Sequence, residues 1–133
     1  MSDQKFGRIV NITSLSVYTA VAGLDLSSGA RAGLTSFLAG IARKYAGANV
    51  TINQILPGKM DTDRLAANFK TVAEAKGITI EEAKQLVGNE IPAGRLGTAD
   101  EFGALCAFLC SVHGGYITGR NILVDGGLNS SAF

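Results

Sequence analysis

The sequence predicts an α/β fold in which helices cover both faces of a parallel sheet. Three short runs rich in β-branched residues, 8–14 (RIVNITS), 50–56 (VTINQIL) and 120–125 (RNILVD), indicate strands. Helical stretches separate these runs, and strands this apolar are typical of a parallel sheet that is buried on both sides. Glycine, at 17 of 133 residues, follows no period, which favours turns and close contacts over a collagen-like chain.

Length and composition limit the classes of protein that fit. The 133 residues predict one domain, and 47% hydrophobic against 17% charged residues exclude intrinsic disorder. Twelve basic and eleven acidic residues form no block of either sign, so nucleic acid is not an expected partner. No apolar run approaches the roughly 18 residues of a membrane span, and the polar start MSDQKFGR does not resemble a signal peptide. We therefore expect a soluble, cytoplasmic protein.

The first strand and the long helix after it occupy the beginning of the chain. Residues 4–7 (QKFG) resemble the last turn of a helix, with a basic residue followed by Gly, although only three residues precede them. This pattern, and the open edges that a three-stranded sheet would leave, predict a missing segment or a partner. Residues 26–46 predict a long, mostly buried helix, since their many small side chains let another backbone approach closely.

A helical excursion follows the second strand. A Pro-Gly pair at 57–58 stops the strand, and two helical segments, 62–76 and 79–89, come next. Thr79 precedes a Glu by three residues, which is the spacing of a capping box at the start of a helix. The same spacing recurs before the helix predicted at 101–111.

Three groups of polar residues are candidates for chemistry. Ser14 ends the first strand, where ligands bind in open α/β sheets, although a Ser here can also simply cap a turn. Ser27 and Arg31 lie four residues apart, on one face near the start of the long helix, where a surface charge is the alternative. The segment 57–62 (PGKMDT) directly follows the second strand. Its Gly would let a ligand approach the backbone, but the segment can equally be an ordinary turn.

The cysteines and the single histidine predict no metal centre. Cys106 and Cys110 are four residues apart on one predicted helix, which suits neither a disulfide framework nor a full set of metal ligands. We expect both thiols to be buried, as free cysteines usually are. His113 lies beside two glycines in a predicted loop, and we interpret it as solvated.

Four segments, taken in order, resemble a known family. They are residues 7–14 (GRIVNITS), 32–63 (AGLTSFLAGIARKYAGANVTINQILPGKMDTD), 92–111 (PAGRLGTADEFGALCAFLCS) and 116–127 (YITGRNILVDGG). Together they resemble the carboxyl-terminal half of a short-chain dehydrogenase/reductase, and are most similar to the 3-oxoacyl-(acyl carrier protein) reductases. The resemblance implies that residues 1–133 are part of a single Rossmann-type domain, a doubly wound parallel sheet of which about three strands and their flanking helices are present. The Gly-rich phosphate turn of that domain would lie upstream.

The resemblance also implies a cofactor, a reaction and a set of site residues. The cofactor would be NAD or NADP, and the intact protein would transfer hydride to or from a carbonyl or alcohol carbon. Ser14 matches the catalytic Ser, which polarises the substrate oxygen. Pro57, Gly58, Met60 and Thr62 match the segment that holds the nicotinamide carboxamide, mostly through its backbone.

The remaining segments match parts of the family that contact substrate and partner subunits. Residues 63–92 would form the substrate lid, a helical insertion within the domain. The long helix, together with the last helix and strand, would form the surfaces through which such enzymes make dimers and tetramers. The expected partners are therefore a small carbonyl or alcohol substrate and further copies of the chain.

The match departs from the family in the catalytic helix. Family members carry a Tyr thirteen residues after the Ser and a Lys four residues later, where this chain has Ser27 and Arg31. The segment 32–34 (AGL) follows as it does in the family, which fixes the alignment of Ser27 with the family Tyr and of Arg31 with the family Lys. The family Tyr works as an acid because a nearby Lys and the cofactor lower its pKa from roughly 10, whereas a Ser hydroxyl is a much weaker acid. Arg31 can still hydrogen-bond the ribose hydroxyls and supply charge.

Another tyrosine is a possible substitute. Tyr18, in the loop four residues after Ser14, is the best candidate, whereas Tyr45 lies too far along the long helix and Tyr116 we interpret as structural. The sequence thus leaves three hypotheses: an atypical oxidoreductase without the Tyr, a pseudoenzyme that keeps the fold for binding or assembly, and a half domain that swaps into a partner. Under the first hypothesis, we expect the isolated chain to bind NAD(P)H weakly or not at all.

Overall fold

Three parallel strands form the sheet, in the order β1-β2-β3. The computed structural model describes residues 1–131 and places β1 at Gly7–Ile12, β2 at Val50–Pro57 and β3 at Asn121–Val124. β2 is central, and its first seven residues are all buried, including the polar residues Thr51, Asn53 and Gln54. The predicted fold class is confirmed. Within residues 1–131, β1 and β3 each keep one unpaired edge.

The helices follow the predicted order. They are α1 (Asp25–Tyr45), α2 (Asp63–Lys76), α3 (Ile80–Asn89) and α4 (Ala99–Cys110), with 3-10 turns at Leu15–Val17, Ala46–Ala48 and Val112–Tyr116. The helix end predicted at residues 4–7 is instead a turn, in which the Lys5 N–H donates to the Ser2 carbonyl at 3.1 Å. Lys5 itself takes the left-handed conformation, with φ of 53°.

Both capping boxes are present and set where α3 and α4 begin. The Thr98 hydroxyl accepts from the Glu101 N–H at 3.2 Å, and the Thr98 N–H donates to the Glu101 carboxylate at 2.9 Å. Thr79 makes the same pair of bonds at the start of α3. A hydrogen bond from Arg95, followed by those from Thr98, lowers the pKa of Glu101 to about 2. The carboxylate therefore stays ionised and holds the start of α4.

The prediction that α1 is mostly buried is wrong for the described chain. Of its residues, only Thr35 and Ala42 are buried, on the side that faces β2. Leu26, Leu34 and Phe37 are 93%, 42% and 65% exposed. Small residues permit a close approach, but no described segment covers this side of the helix.

The helical excursion packs mainly on itself. Phe69 and Ala73 of α2 meet Ala83 of α3, and Ile91 and Leu96 from the following segment complete this cluster. The excursion therefore forms a separate small core beside the sheet. It occupies the region, residues 63–92, that the sequence assigns to a lid.

The thiols are less buried than predicted. Cys106 is partly buried and Cys110 is exposed, because α4 is covered only on the side of the sheet and of the following 3-10 turn. Burial raises the pKa of the Cys106 thiol. Among residues 1–131, no group of three metal-ligating side chains comes together. Nor does any helix in that range have the length and apolar character needed to cross a bilayer.

Candidate functional site

The carboxyl ends of β1 and β2 border an apolar cleft of about 280 Å³. Its lining combines the ends of both strands, the segment after β2 and the first turns of α4. The lining residues are Ile12, Pro57, Met60, Thr62, Ala99, Phe102 and Gly103. Three of the residues predicted to hold a cofactor, Pro57, Met60 and Thr62, thus meet in one place.

Thr62 has a hydroxyl that its helix does not use. The residue stands at the N-cap of α2, with extended backbone, but its side chain makes no capping hydrogen bond. Thr79 and Thr98 occupy the same position on their helices and both cap. Thr62 is exposed and lies at the cleft, so its side chain is accessible beside a bound ligand.

Gly58 packs closely against the residue that follows β3. A Cβ built on it would lie 2.6 Å from Asp125 Cβ and 2.7 Å from Asp125 Cα. The residue after β3 therefore fills the space on the Cβ side of this glycine. The Gly58 N–H donates to the Val124 carbonyl at 2.9 Å, which holds the two strand ends together.

Replacing Gly58 by Ala tests this packing role. We expect Gly58→Ala to lower the free energy of unfolding by about 1–3 kcal/mol, since the added methyl must displace backbone. Gly40, in the interior of α1, has nothing within 4 Å of its Cβ position. Gly40→Ala is the matched control and should stabilise by about 0.4–1 kcal/mol. Urea unfolding of the chain measures both, and equal effects of one sign would contradict the assignment.

Ser14 caps the 3-10 turn that follows β1. Its Oγ accepts a hydrogen bond from the Ser16 N–H at 3.1 Å. The capping alternative considered for Ser14 is thus what the structure contains. A hydroxyl that accepts one bond still has its own hydrogen to donate, so capping does not prevent Ser14 from polarising a substrate oxygen.

Ser27 and Arg31 contact each other on the first turns of α1. Arg31 Nη1 donates to the Ser27 carbonyl at 3.3 Å and also to the Ser27 hydroxyl. Both residues are half-buried. α1 packs against the 3-10 turn that Ser14 caps, so these three residues lie on neighbouring elements. None of the three lines the cleft itself.

The tyrosines and the histidine lie apart from the cleft. Tyr18 ends the turn after Ser14 and is 43% exposed. Tyr116 and His113 are exposed beyond α4. Tyr45 is half-buried at the end of α1, beneath the ammonium of Lys44. Tyr18 is therefore the tyrosine nearest in the chain to the candidate site, but not part of the cleft wall.

Sequence reasoning missed the part of the cleft that α4 supplies. Phe102 and Gly103 follow the capping box that begins at Thr98. The box predicts where the helix begins, but not that its first turns border the carboxyl end of β1. Ile12 was missed because it looks like an ordinary strand residue, yet its side chain is 63% exposed. The structure thus identifies Ile12 by the exposure of its apolar side chain at a strand end, which the sequence does not show.

Comparisons with known proteins agree with the fold. A family model described as enoyl-(acyl carrier protein) reductase matches residues 1–129. The 3-oxoacyl-[acyl-carrier-protein] reductase FabG of Aquifex aeolicus is 38% identical over 96% of this chain and 47% of its own length. The acetoacetyl-CoA reductase of Shinella zoogloeoides is 35% identical over 96% of this chain and 48% of its own length.

A solved structure shows the same arrangement of elements. The crystal structure of YwfH, an NADPH-dependent reductase involved in bacilysin biosynthesis, matches 98% of this chain and 50% of its own, with a TM-score of 0.87 and 33% identity. The chain thus spans about half the length of the curated relatives and solved structures that it matches.

Proposed function

Because the chain belongs to the short-chain dehydrogenase/reductase family, we propose that the intact protein transfers hydride between NAD or NADP and a carbonyl or alcohol substrate. A 3-oxoacyl compound is the proposed substrate class, since relatives that are 38% and 35% identical are reductases of such compounds. The observation that carries the proposal is that Pro57, Met60 and Thr62 meet at one apolar cleft by the carboxyl ends of β1 and β2, with a Thr62 hydroxyl that does not cap α2.

The cleft fits a nicotinamide ring. Its apolar side chains, Ile12 and Phe102 among them, suit the faces of a flat ring, and Thr62 at its border would offer a hydroxyl to the carboxamide. A volume of about 280 Å³ is at the small end for a ligand site, so it suits the ring better than a whole dinucleotide. When bound, the nicotinamide would supply or accept the hydride.

The chain's own residues would handle the substrate oxygen and its proton. The Ser14 hydroxyl would donate a hydrogen bond to that oxygen while its Oγ continues to accept one from the Ser16 N–H. Arg31 would supply positive charge beside Ser27. Ser27 would be a weak proton donor in the position where the family has Tyr, so we propose slow turnover.

A pseudoenzyme is the second candidate, and the contact between Ser27 and Arg31 favours it. The guanidinium is already engaged by the hydroxyl and carbonyl of its own helix. Substrate and ribose would have to compete with those bonds. In this alternative, the fold is kept for binding or assembly.

We also propose that the intact protein is a homo-oligomer in the cytoplasm. The exposed apolar side of α1, with Leu26, Leu34 and Phe37, supports a further protein surface against this helix. Light scattering of the intact protein gives its mass in solution.

A carbonyl-reduction assay on the intact protein separates these candidates. Acetoacetyl-CoA is supplied with NADPH or NADH, and consumption of the reduced nicotinamide is followed by absorbance. Turnover above that of a no-enzyme control supports the reductase. NADPH binding without turnover supports the pseudoenzyme, and neither binding nor turnover contradicts both. For the isolated chain, we expect weak or no NADPH binding by fluorescence titration, and tight binding would contradict that expectation.

A further inference from the structure

The segment that carries Met60 is joined to helix α3 by two ion pairs. On one side of Met60, the Lys59 ammonium contacts the Glu90 carboxylate. On the other side, Lys84 Nζ lies 2.7 Å from Asp61 Oδ2. Lys84 is within α3 and Glu90 is its C-cap, so both partners belong to one helix. The two pairs flank Met60.

Backbone hydrogen bonds to Gly97 also hold this segment. The Asp61 N–H donates to the Gly97 carbonyl at 2.8 Å, and the Gly97 N–H donates to the Lys59 carbonyl at 3.1 Å. Met60 lies so close to Gly97 that a Cβ on that glycine would be 2.8 Å from Met60 Sδ. Since Met60 lines the apolar cleft, whatever moves this segment also moves a wall of the cleft.

Helix α3 has little else that fixes it to the sheet. Its apolar residues pack with α2 and with Ile91 and Leu96. Among the described residues, α3 has extensive contact with α2 and with no strand. Isolated ion pairs on a surface usually contribute little. Here the two pairs run directly from α3 to Lys59 and Asp61, in the segment that follows β2.

The order of the charges defines one placement of α3. In the segment, the basic Lys59 precedes the acidic Asp61. Lys59 pairs with the acidic Glu90 and Asp61 pairs with the basic Lys84 of α3. Exchanging the partners would bring Lys84 to Lys59 and Glu90 to Asp61, and both contacts would be repulsive. The hydrogen bond to Asp61 also raises the pKa of Lys84, so this ammonium stays charged.

We propose that Lys84 and Glu90 are positioning residues that couple the place of α3 to the place of Met60 in the cleft wall. Movement of α3, the helix assigned to the substrate lid, would then be transmitted to the segment assigned to the nicotinamide. The inference rests on the proposed function only for the identity of what the cleft and the lid bind. The coupling itself is a property of the chain alone.

Methyl NMR of methionine measures the coupling directly. The chain has two methionines, Met1 and Met60, so labelling their methyl groups gives at most two signals. Asp61→Lys brings two ammonium groups together, and we expect it to shift or broaden the Met60 signal and leave that of Met1 unchanged. Amide exchange in α3 should become about three- to tenfold faster at low salt. Added salt should reduce both effects.

Rescue variants separate coupling from general damage. Asp61→Lys combined with Lys84→Glu restores the pair with reversed charges, and should return both readouts most of the way to wild type. Lys84→Arg keeps the charge and should change neither readout. Glu74→Lys makes the same charge change, from −1 to +1, at an exposed position of α2 and is the matched control. Glu90→Gln is the milder variant at the second pair, and should displace the Met60 signal to a smaller extent.

Two results would overturn the proposal. One is an unchanged Met60 signal in both folded Asp61→Lys and Glu90→Gln. The other is a double variant as perturbed as the single variant. If Asp61→Lys does not fold by circular dichroism while the double variant does, the coupling is supported. No cofactor is used, so a failure of the proposed function, seen in the assay on the intact protein, is distinguishable from a failure of the coupling.

Discussion

Replacing Ser27 by Tyr together with Arg31 by Lys is expected to raise the rate of carbonyl reduction by the intact protein about 10²- to 10⁴-fold. The two positions are one helical turn apart, half-buried, and already in contact through their side chains. A phenol is a far stronger acid than a Ser hydroxyl, and an adjacent ammonium lowers the pKa of a phenol further. The introduced pair would therefore deliver the proton that the substrate oxygen needs.

The control for this variant is Ser27→Phe with Arg31→Lys, which adds the ring and the ammonium without the phenolic hydroxyl. It should stay at the wild-type rate. The measurement is kcat with NADPH and acetoacetyl-CoA across pH, since a titrating phenol gives a pH dependence that the control lacks. A wild type as fast as the double variant would show that Ser27 does not limit turnover. An equal gain in the Phe control would show that proton donation is not the cause.

The elements of the fold could be predicted because their signals are local. The capping boxes of Thr79 and Thr98 fix the starts of α3 and α4 through residues three positions away. β2 is recognisable from its density of β-branched and apolar residues within a short segment that ends in Pro-Gly. These features need no knowledge of what lies elsewhere in the chain.

The exposure of particular side chains could not be predicted, because it depends on distant contacts. The small residues of α1 permit burial, but burial needs a covering surface, and Phe37 remains 65% exposed. Cys110 is exposed for the same reason. Gly58 follows a strand, as a ligand-binding glycine does, yet Asp125 fills the space beside it. Only the fold brings the end of β3 to that glycine.

The candidate site was predictable only in part, for the same reason: some of its residues have local signals, and others meet only through contacts between distant segments. The strand-end rule places Pro57, Met60 and Thr62 correctly at one edge of the sheet. The opposite wall, with Phe102, comes from α4, which is remote in sequence. Thr62 stands out as a candidate ligand-binding residue only when it is compared with Thr79 and Thr98. All three are N-cap residues, but the Thr62 hydroxyl alone makes no capping hydrogen bond.

Ser14→Ala is expected to lower the rate of carbonyl reduction about 10²- to 10³-fold, as the loss of one donor to a developing oxyanion does. The Ser14 hydroxyl would act on the substrate as a hydrogen-bond donor, because its Oγ already accepts a hydrogen bond from the Ser16 N–H at 3.1 Å. The loss should appear in kcat more than in KM, because the bond strengthens as charge develops on the substrate oxygen. Measuring it in both the wild type and the Ser27→Tyr, Arg31→Lys background keeps it detectable if the wild type is slow.

The alanine also removes a cap, and Ser111 provides a control for that loss. Its Oγ accepts from the His113 N–H at 3.1 Å, as Ser14 Oγ accepts from the Ser16 N–H, and it also donates to the Phe108 carbonyl at 2.7 Å. Ser111→Ala should therefore lose at least as much stability as Ser14→Ala while leaving kcat near the wild-type value. If the two variants lose activity equally, the effect of Ser14 is structural. If Ser14→Ala alone loses kcat, its hydroxyl acts on the substrate oxygen, and Ser14 functions in both capping and chemistry.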